Sequence, residues 1–560
     1  MEDLMLQRAV GAVERHSVWA LSALLALSGA LLMYMGRGLS FYYDEWEWVV
    51  NDYYGGTHWL LVAHVGNISV FPAALYRLLF HLVGLDHYAV FRLDVTVLHL
   101  ISGALVYVMA ARRIPRIPAL LAAALILFLG AAWEDLLWAF QVGYLLSVAG
   151  GLATWTLLER RRGRFNDLAA MLCLLVAAGS SSLGIPVMAG VAVELARRRP
   201  QRRRLWIVAI PAALYVLWYE TNGASQVTAE GLIHAPGYAA ELAAAAFGGL
   251  VGHGLDWGQP LAVAGLLILL YCLARPAPIS ARLSGLLTAA AVLWAITAAA
   301  RSTISPPESS RYIYLGAVLI VLIGVELLRG VTITPRMSAL ATVVVGFCAL
   351  TGVTLLHSGA IGLRTTSRTV TAEIGALEIA AAYAPGAYQP DPVHAPPVFA
   401  GPYLRAVRSI GSSPADTPAE ILASEPSARA AADGVLLALE APRPRPLGTT
   451  PLPALAPAPA LASLGHAAQS PHAECVRLTQ LPGPPMTATL ALPAAGLLIR
   501  DEGPAPTALA LKRFGEGFTA LPASVAAHSA EVLAVPADHA AHVPWQLQLA
   551  SSSPLSLCSL

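Results

Sequence analysis

Three carboxylates fall within four residues, Asp44, Glu45 and Glu47, inside the stretch Phe41-Tyr42-Tyr43-Asp44-Glu45-Trp46-Glu47-Trp48. The stretch follows directly on an apolar run. Aromatic residues are normal at a membrane surface, but adjacent acids are costly there unless they are solvated or used. If Asp44 and Glu45 face a cavity, mutual repulsion and partial burial raise at least one pKa, which is how a general base for a hydroxyl group is made. The alternative is an exposed acidic loop. A second acidic pair, Glu134 and Asp135, lies in Ala132-Trp133-Glu134-Asp135-Leu136-Leu137-Trp138-Ala139-Phe140-Gln141. Two such clusters could share a divalent cation, Mg or Mn, or divide base and binding roles. No ligand spacing fixes a metal, so its use stays open, and no other cofactor is expected.

Between the acidic clusters lie His64 and Asn67, ahead of an amphipathic stretch from Phe71 to Val83 that should lie along the interface rather than cross it. With Gln141 they are candidate substrate contacts. The last group is Arg301, Arg311 and Tyr312. A pair of arginines can hold a lipid phosphate or pyrophosphate by forked hydrogen bonds. The plainer reading of these arginines is headgroup snorkelling.

The elements that must position these groups are membrane spans. Charged residues are only 12% of the chain, about half the usual share of a soluble domain. Apolar runs of about 18 to 22 residues recur from Val18 to His357, each able to cross a hydrocarbon core of about 30 Å as a helix. The first run is too long for a cleavable signal peptide and no small-residue cleavage site follows it. Basic residues of short loops stay on the cytoplasmic side. Arg8 and Arg15 then place the N-terminus inside. The spans are Ser17 to Met35, about Ala89 to Ala110, Ala119 to Ala132, Val142 to Leu158, two short ones within Leu168 to Leu195, Leu205 to Tyr219, Leu261 to Ala274, Leu283 to Ala300, Tyr312 to Leu328, and Ser338 to Leu356. The stretch Leu168 to Leu195 is read as a hairpin, because Ser180-Ser181-Ser182-Leu183-Gly184-Ile185-Pro186 breaks a helix and because one long span would put Arg197 to Arg204 outside. A long outer loop is expected from Glu220 to Gly258. Both acidic clusters, Arg301 and Arg311 fall on the outer side.

The fold expected is an α-helical multi-pass membrane protein of about 11 spans over residues 1–357. Residues 358–460 form an outer Pro/Ala-rich connector with short helices such as Pro418 to Ser424 and Ser427 to Glu440. A β-sandwich, jelly-roll-like, covers residues 461–560. Its short alternating runs are Cys475 to Thr479, Met486 to Leu492, Gly496 to Arg500, Thr507 to Lys512, Ala530 to Val535, Trp545 to Leu549 and Leu555 to Leu560. Cys475 and Cys558, in the first and last of these, are expected to form a disulfide in that compartment.

An acidic motif just after the first span, a second in the next outer loop, interfacial helices between the first two spans, and an outer C-terminal domain resemble the GT-C superfamily of glycosyltransferases. The segments Tyr43-Asp44-Glu45-Trp46, His64-Val65-Gly66-Asn67, Leu75-Tyr76-Arg77-Leu78-Leu79-Phe80, Phe91-Arg92-Leu93 and Phe399-Ala400-Gly401-Pro402-Tyr403-Leu404 also resemble a group of actinobacterial membrane proteins of this type. The resemblance implies a polyprenyl-phosphate sugar as donor, with Asp44 as the base and Glu45 assisting. No Asp-X-Asp motif occurs in the second outer loop, which leaves metal dependence in doubt.

The function expected is therefore a plasma-membrane glycosyltransferase that passes a sugar from a polyprenyl-phosphate donor to an outer cell-envelope glycan or glycoconjugate, with inversion. Its partners are that donor, the acceptor and membrane lipid, with no nucleic acid. The other readings are a flippase or transporter of lipid-linked glycans, which would need a polar path through several spans, and an envelope scaffold or binding protein, which would not need acidic pairs at the membrane edge.

Overall fold

The computed structural model describes residues 16–51, 58–160, 163–275, 279–440, 442–447, 455–472 and 474–560. Arg8 and Arg15 lie outside the described residues. Two compact units divide the chain, Met1–Arg364 and Thr365–Leu560.

The first unit is helical. Its helices are α1 (Ser17–Met35), α2 (Glu45–Asn51), α3 (Val70–Val83), α4 (Tyr88–Ala110), α5 (Arg116–Leu127), α6 (Trp133–Leu137), α7 (Val142–Leu158), α8 (Arg164–Ser180), α9 (Gly184–Arg197), α10 (Trp206–Asn222), α11 (Ala229–Val251), α12 (Leu255–Ala274), α13 (Ala281–Arg301), α14 (Ile313–Leu327) and the part up to Arg364 of α15 (Pro335–Ile379). Among the described residues, eight helical stretches are long and apolar enough to cross a membrane: α1, α4, α5 extended to Leu137, α7 extended back to Ala139, α12, α13, α14 extended back to Ser310, and α15. About 11 were expected. The remaining three, α8, α9 and α10, have 17, 14 and 17 residues, short of the roughly 20 that a full crossing uses. Helix α3 is apolar and, at 14 residues, too short to span.

The chain does reverse at Ser181–Leu183. A Cβ on Gly184 would stand 2.5 Å from the Ala178 Cα, an approach between residues six apart that no continuous helix permits. The far ends of α8 and α9 also meet: Arg204, just past α9, donates to Asp167 at 2.6 Å, in the first turn of α8. Ion pairs collect the basic loops at this one end of the bundle. Arg282 bridges Glu159 and Glu194, each at 2.8 Å. Arg113 joins Glu159 to Glu326, and Arg198 pairs with Glu194 at 2.7 Å. Positive loops that share a side by charge thus share an end by contact.

Two expectations need correction. The stretch 220–258 is not a loop, because most of it is the 23-residue α11. Its buried positions Gly231, Tyr238, Leu242, Ala245, Ala246 and Gly249 recur at helical spacing. Glu230, His234, Pro236 and Glu241 lower its hydropathy and hide it from a span search. Its hydrogen bonds to other elements run from the Ser302 Oγ to the Gly231 carbonyl at 3.0 Å, from the Tyr238 hydroxyl to the Ser305 carbonyl at 2.8 Å, and from the Thr351 Oγ1 to the Val251 carbonyl at 3.0 Å. All lie away from the arginine-rich end. The helix that holds the last span also runs on past Leu356, into the stretch expected as connector. Helix α15 runs 45 residues to Ile379, about 68 Å at 1.5 Å per residue, because no proline interrupts it.

The second unit adds α16 (Ala400–Ile410), α17 (Pro418–Ala423), α18 (Pro426–Glu440) and two antiparallel sheets. One sheet has the strand order β1-β9-β6-β11-β4-β3 and the other β2-β5-β10-β7-β8. These strands are β1 (Arg445–Pro446), β2 (Leu461–Gly465), β3 (Ala467–His472), β4 (Cys475–Gln480), β5 (Met486–Ala491), β6 (Leu497–Asp501), β7 (Ala508–Lys512), β8 (Thr519–Ala520), β9 (Ala530–Leu533), β10 (Gln546–Ser551) and β11 (Leu555–Ser559). Alternation buries one face of each sheet, as in β5 with Met486, Ala488 and Leu490 inside. The two short helices expected at Pro418 to Ser424 and Ser427 to Glu440 are present as α17 and α18. Asp433 of α18 is buried and accepts the backbone N–H groups of Arg513, Phe514 and Gly515, each at 2.9 Å, which fastens the helix to the loop after β7.

Cys475 and Cys558 are opposite each other in the β4–β11 pairing and are joined by a disulfide. Replacing Cys558 by Ala is expected to lower the stability of this unit by about 3 to 4.5 kcal/mol in the chain-entropy picture. Pulse proteolysis of the full-length chain across a urea series measures it, and an unchanged midpoint would refute the contribution.

Candidate active site

The acidic stretch is placed by its aromatic neighbours. Phe41 is fully buried and packs on Trp46, Tyr88 and Phe91 at centroid distances of 5.5, 5.0 and 5.3 Å. Arg92, equally buried, donates from Nη2 to the Leu32 carbonyl at 2.8 Å and from Nε to the Leu137 carbonyl at 2.9 Å. It therefore ties the end of α1 to α6 and brings the two acidic segments to one place. Tyr43 then takes a left-handed conformation at φ 50°, a backbone state that costs energy for a non-glycine residue and that gathers at functional sites.

The three acids point three ways. Glu45 is the correction here: it lines neither cavity described below and is fully buried in the core. Its carboxylate accepts the hydroxyls of Tyr76 at 2.5 Å and Tyr88 at 2.9 Å, the Trp138 indole N–H at 3.1 Å and the Tyr42 backbone N–H at 3.2 Å. Burial pushes its pKa up to about 8, against the downward pull of those four donors. Glu45 thus joins α2 to α3, α4 and the second acidic segment. Glu47 turns towards His64, 3.7 Å from its Nδ1. Asp44 faces a cavity of about 300 Å³. Burial raises its pKa to about 6, with Glu47 adding to the rise and Arg311 and Arg301 opposing it.

Seven residues singled out in the sequence line this cavity: Asp44, His64, Asn67, Gln141, Arg301, Arg311 and Tyr312. His64 and Asn67 are held by a tight turn, each backbone N–H donating to the other's carbonyl at 2.9 Å across Val65 and Gly66. Both turn residues have positive φ, 49° and 74°, which suits Gly66. Glu134 does not line the cavity. Its carboxylate accepts the Arg311 backbone N–H at 3.1 Å and stands 3.9 Å from the Arg311 Nη1, so it holds the arginine in place. Asp135 is shut into the interior, with neither oxygen hydrogen-bonded. Among the described residues no three His, Cys, Asp or Glu side chains are grouped to hold a metal ion. Asp44 and the Glu134–Asp135 pair thus face different surroundings and share no one site.

Other residues of the cavity carried no clear signal in the sequence. Tyr144 lines it from α7, and Ser180 and Ser181 line it from the hairpin tip. The serine run was visible as a helix breaker, but not as a cavity wall. A second cavity of about 390 Å³ shares Asn67, Tyr144, Arg301, Arg311 and Tyr312 with the first. Its further walls include Leu183, Ile185, Pro186, Val216, Leu293 and Ile296. The two cavities thus share both arginines, and the second is walled mainly by apolar side chains.

No family model and no curated protein matches the chain. Solved structures that it is similar to include ArnT from Cupriavidus metallidurans bound to undecaprenyl phosphate, at 13% identity and a TM-score of 0.43, over 65% of this chain and 80% of that one. The arabinosyltransferase EmbB from Mycobacterium smegmatis is similar at 11% identity and a TM-score of 0.31, over 96% of this chain and 64% of that one.

Proposed function

We propose that this chain is a membrane glycosyltransferase that takes a sugar from a polyprenyl-phosphate donor and passes it to a hydroxyl of a cell-envelope acceptor outside the cytoplasm. The observation that carries the reading is the joint cavity. Asp44 and the arginine pair share one chamber, and the same arginines rim an apolar chamber. A lipid phosphate needs both, cations for its head and apolar walls for its first isoprene units. The motif resemblance of the sequence to GT-C enzymes supports the same donor.

In the reaction, the acceptor oxygen bonds to the anomeric carbon while the bond from that carbon to the phosphate oxygen breaks. The electron pair leaves with the polyprenyl phosphate, and Arg301 and Arg311 stabilise the charge that develops there. Asp44 takes the acceptor's proton. Attack on the face opposite the phosphate inverts the anomeric centre. Glu45 acts through position, and Glu134 orients Arg311.

Binding of bare undecaprenyl phosphate to the full-length chain in nanodiscs tests the reading. Arg301→Gln and Arg311→Gln are each expected to weaken it at least tenfold, since a charge-assisted bond contributes about 1.5–3 kcal/mol. Wild-type affinity in both variants would remove the lipid phosphate from this cavity.

A further inference from the structure

We infer that His64 and Gln141 read the hydroxyls of the transferred sugar, and that this sugar is a single unit without a charged substituent; this rests on the glycosyl-transfer reading of the same cavity. Both side chains line the polar chamber, yet they are only 1% and 3% exposed. Neither His64 ring nitrogen has a hydrogen-bond partner, and neither does the Gln141 Oε1. The nearest carboxylate oxygen to the His64 Nδ1, on Glu47, is at 3.7 Å, beyond hydrogen-bond reach. The imidazole is held edge-on to Trp48 and Trp59, with ring centroids 6.0 and 4.5 Å away.

Buried polar atoms without partners cost stability in a protein at rest. Groups kept in that state on a cavity wall are matched to a ligand that completes them, and a ligand lacking the matching group is rejected because they stay unpaired. Neutral imidazole offers one donor and one acceptor, and the Gln141 oxygen one acceptor. Sugar hydroxyls, which both give and take hydrogen bonds, satisfy all three.

The charges on the chamber wall exclude more. Asp44 is committed to the acceptor proton, and Arg301 and Arg311 to the phosphate. Among the described residues, no other ion on that wall is left to pair with a sugar carboxylate or ammonium, whose burial unpaired is prohibitive. A volume of about 300 Å³ lies at the lower bound of ligand pockets, roughly 300–1,000 Å³. That leaves room for one sugar beside the phosphate and not for an oligosaccharide.

The test compares binding to the full-length chain in nanodiscs of bare undecaprenyl phosphate with that of the same lipid carrying glucose, mannose or arabinose, and with analogues bearing an amino group or a carboxylate on the sugar. The variants are His64→Phe, which keeps a ring between the two tryptophans, and Gln141→Leu, which keeps the volume. At least one neutral sugar-lipid should bind the wild type more tightly than the bare lipid. Each variant should weaken that lipid about five- to tenfold and change bare-lipid affinity less than twofold. The ligand-free melting temperature should hold or rise, because orphaned polar atoms are removed. Charged analogues should bind no better than bare lipid. Equal weakening of bare and sugar-bearing lipid, a fall in ligand-free melting temperature for both variants, or a charged analogue binding as tightly as the neutral one would each overturn the inference. The glycosyl-transfer reading fails in a different way: the wild type would bind a neutral sugar-lipid and never release the sugar to any acceptor.

Discussion

Asp44→Asn is expected to reduce sugar transfer roughly 10²- to 10⁴-fold, about 3 to 5 kcal/mol in barrier, while undecaprenyl phosphate still binds. The amide keeps the shape of the side chain and cannot take the acceptor's proton. Its geometry is secured by neighbours that the change leaves alone, chiefly Phe41, Arg92 and the Glu45 cluster. The wild-type pH profile carries the same signature. Burial raises the Asp44 pKa to about 6, and only the ionised form acts as base, so transfer should fall as pH drops below about 6. Asp44→Asn should lose that inflection along with its rate. Turnover within tenfold of wild type, or an unshifted acid limb in the variant, would remove Asp44 from the role of base.

Arg282→Ala should lower the stability of the full-length protein by about 3 to 5 kcal/mol, the usual cost of stranding a buried partner. The Arg282 guanidinium is 3% exposed, and it joins Glu159 and Glu194, themselves 12% and 1% exposed. It also donates to the Trp155 carbonyl at 3.2 Å. Removing it leaves Glu194 with Arg198 alone and breaks the seam between α7, α9 and α13. Thermal unfolding in detergent measures the loss. The cluster lies at the end of the bundle away from Asp44, so KM for the donor in the surviving folded fraction should not move. A shift in melting temperature equivalent to less than about 1 kcal/mol would mean that the bundle repacks around the gap.

The charge pattern of the loops specified much of this architecture. Basic residues of short loops tend to share one side of a membrane, and arginines of three separate loops, Arg113, Arg198 with Arg204, and Arg282, meet at one end of the bundle. The helix breakers at Ser180–Pro186 specified the reversal after α8, since serine, glycine and proline together leave a helix no reason to continue. Strand positions in the second unit were equally local, because alternation of apolar and polar residues needs no partner to be visible. Pairing was not local. The strand β4 lies beside β11 as well as β3, while β5 lies beside β2 and β10, so the consecutive strands β4 and β5 fall in different sheets and the closed core decides those long-range pairings.

The sequence by itself, through the alternation of apolar runs with basic loops, put the acids, His64, Asn67 and the two arginines that depart from the charge rule at the helix ends opposite the basic loops. It could not sort three neighbouring carboxylates. Asp44, Glu45 and Glu47 have similar intrinsic chemistry, and they differ here because α2 begins at Glu45 and turns each side chain in its own direction. One is left facing a cavity, one is enclosed by two tyrosines and a tryptophan, and one faces a histidine. The same holds for Glu134 and Asp135, where a single step along a helix separates a carboxylate that holds Arg311 from one sealed inside. Helix α11 escaped for the opposite reason. Its acids and its proline look like a loop to any reading of hydropathy, and only packing against α13 and α14 pulls its small-residue face into the bundle.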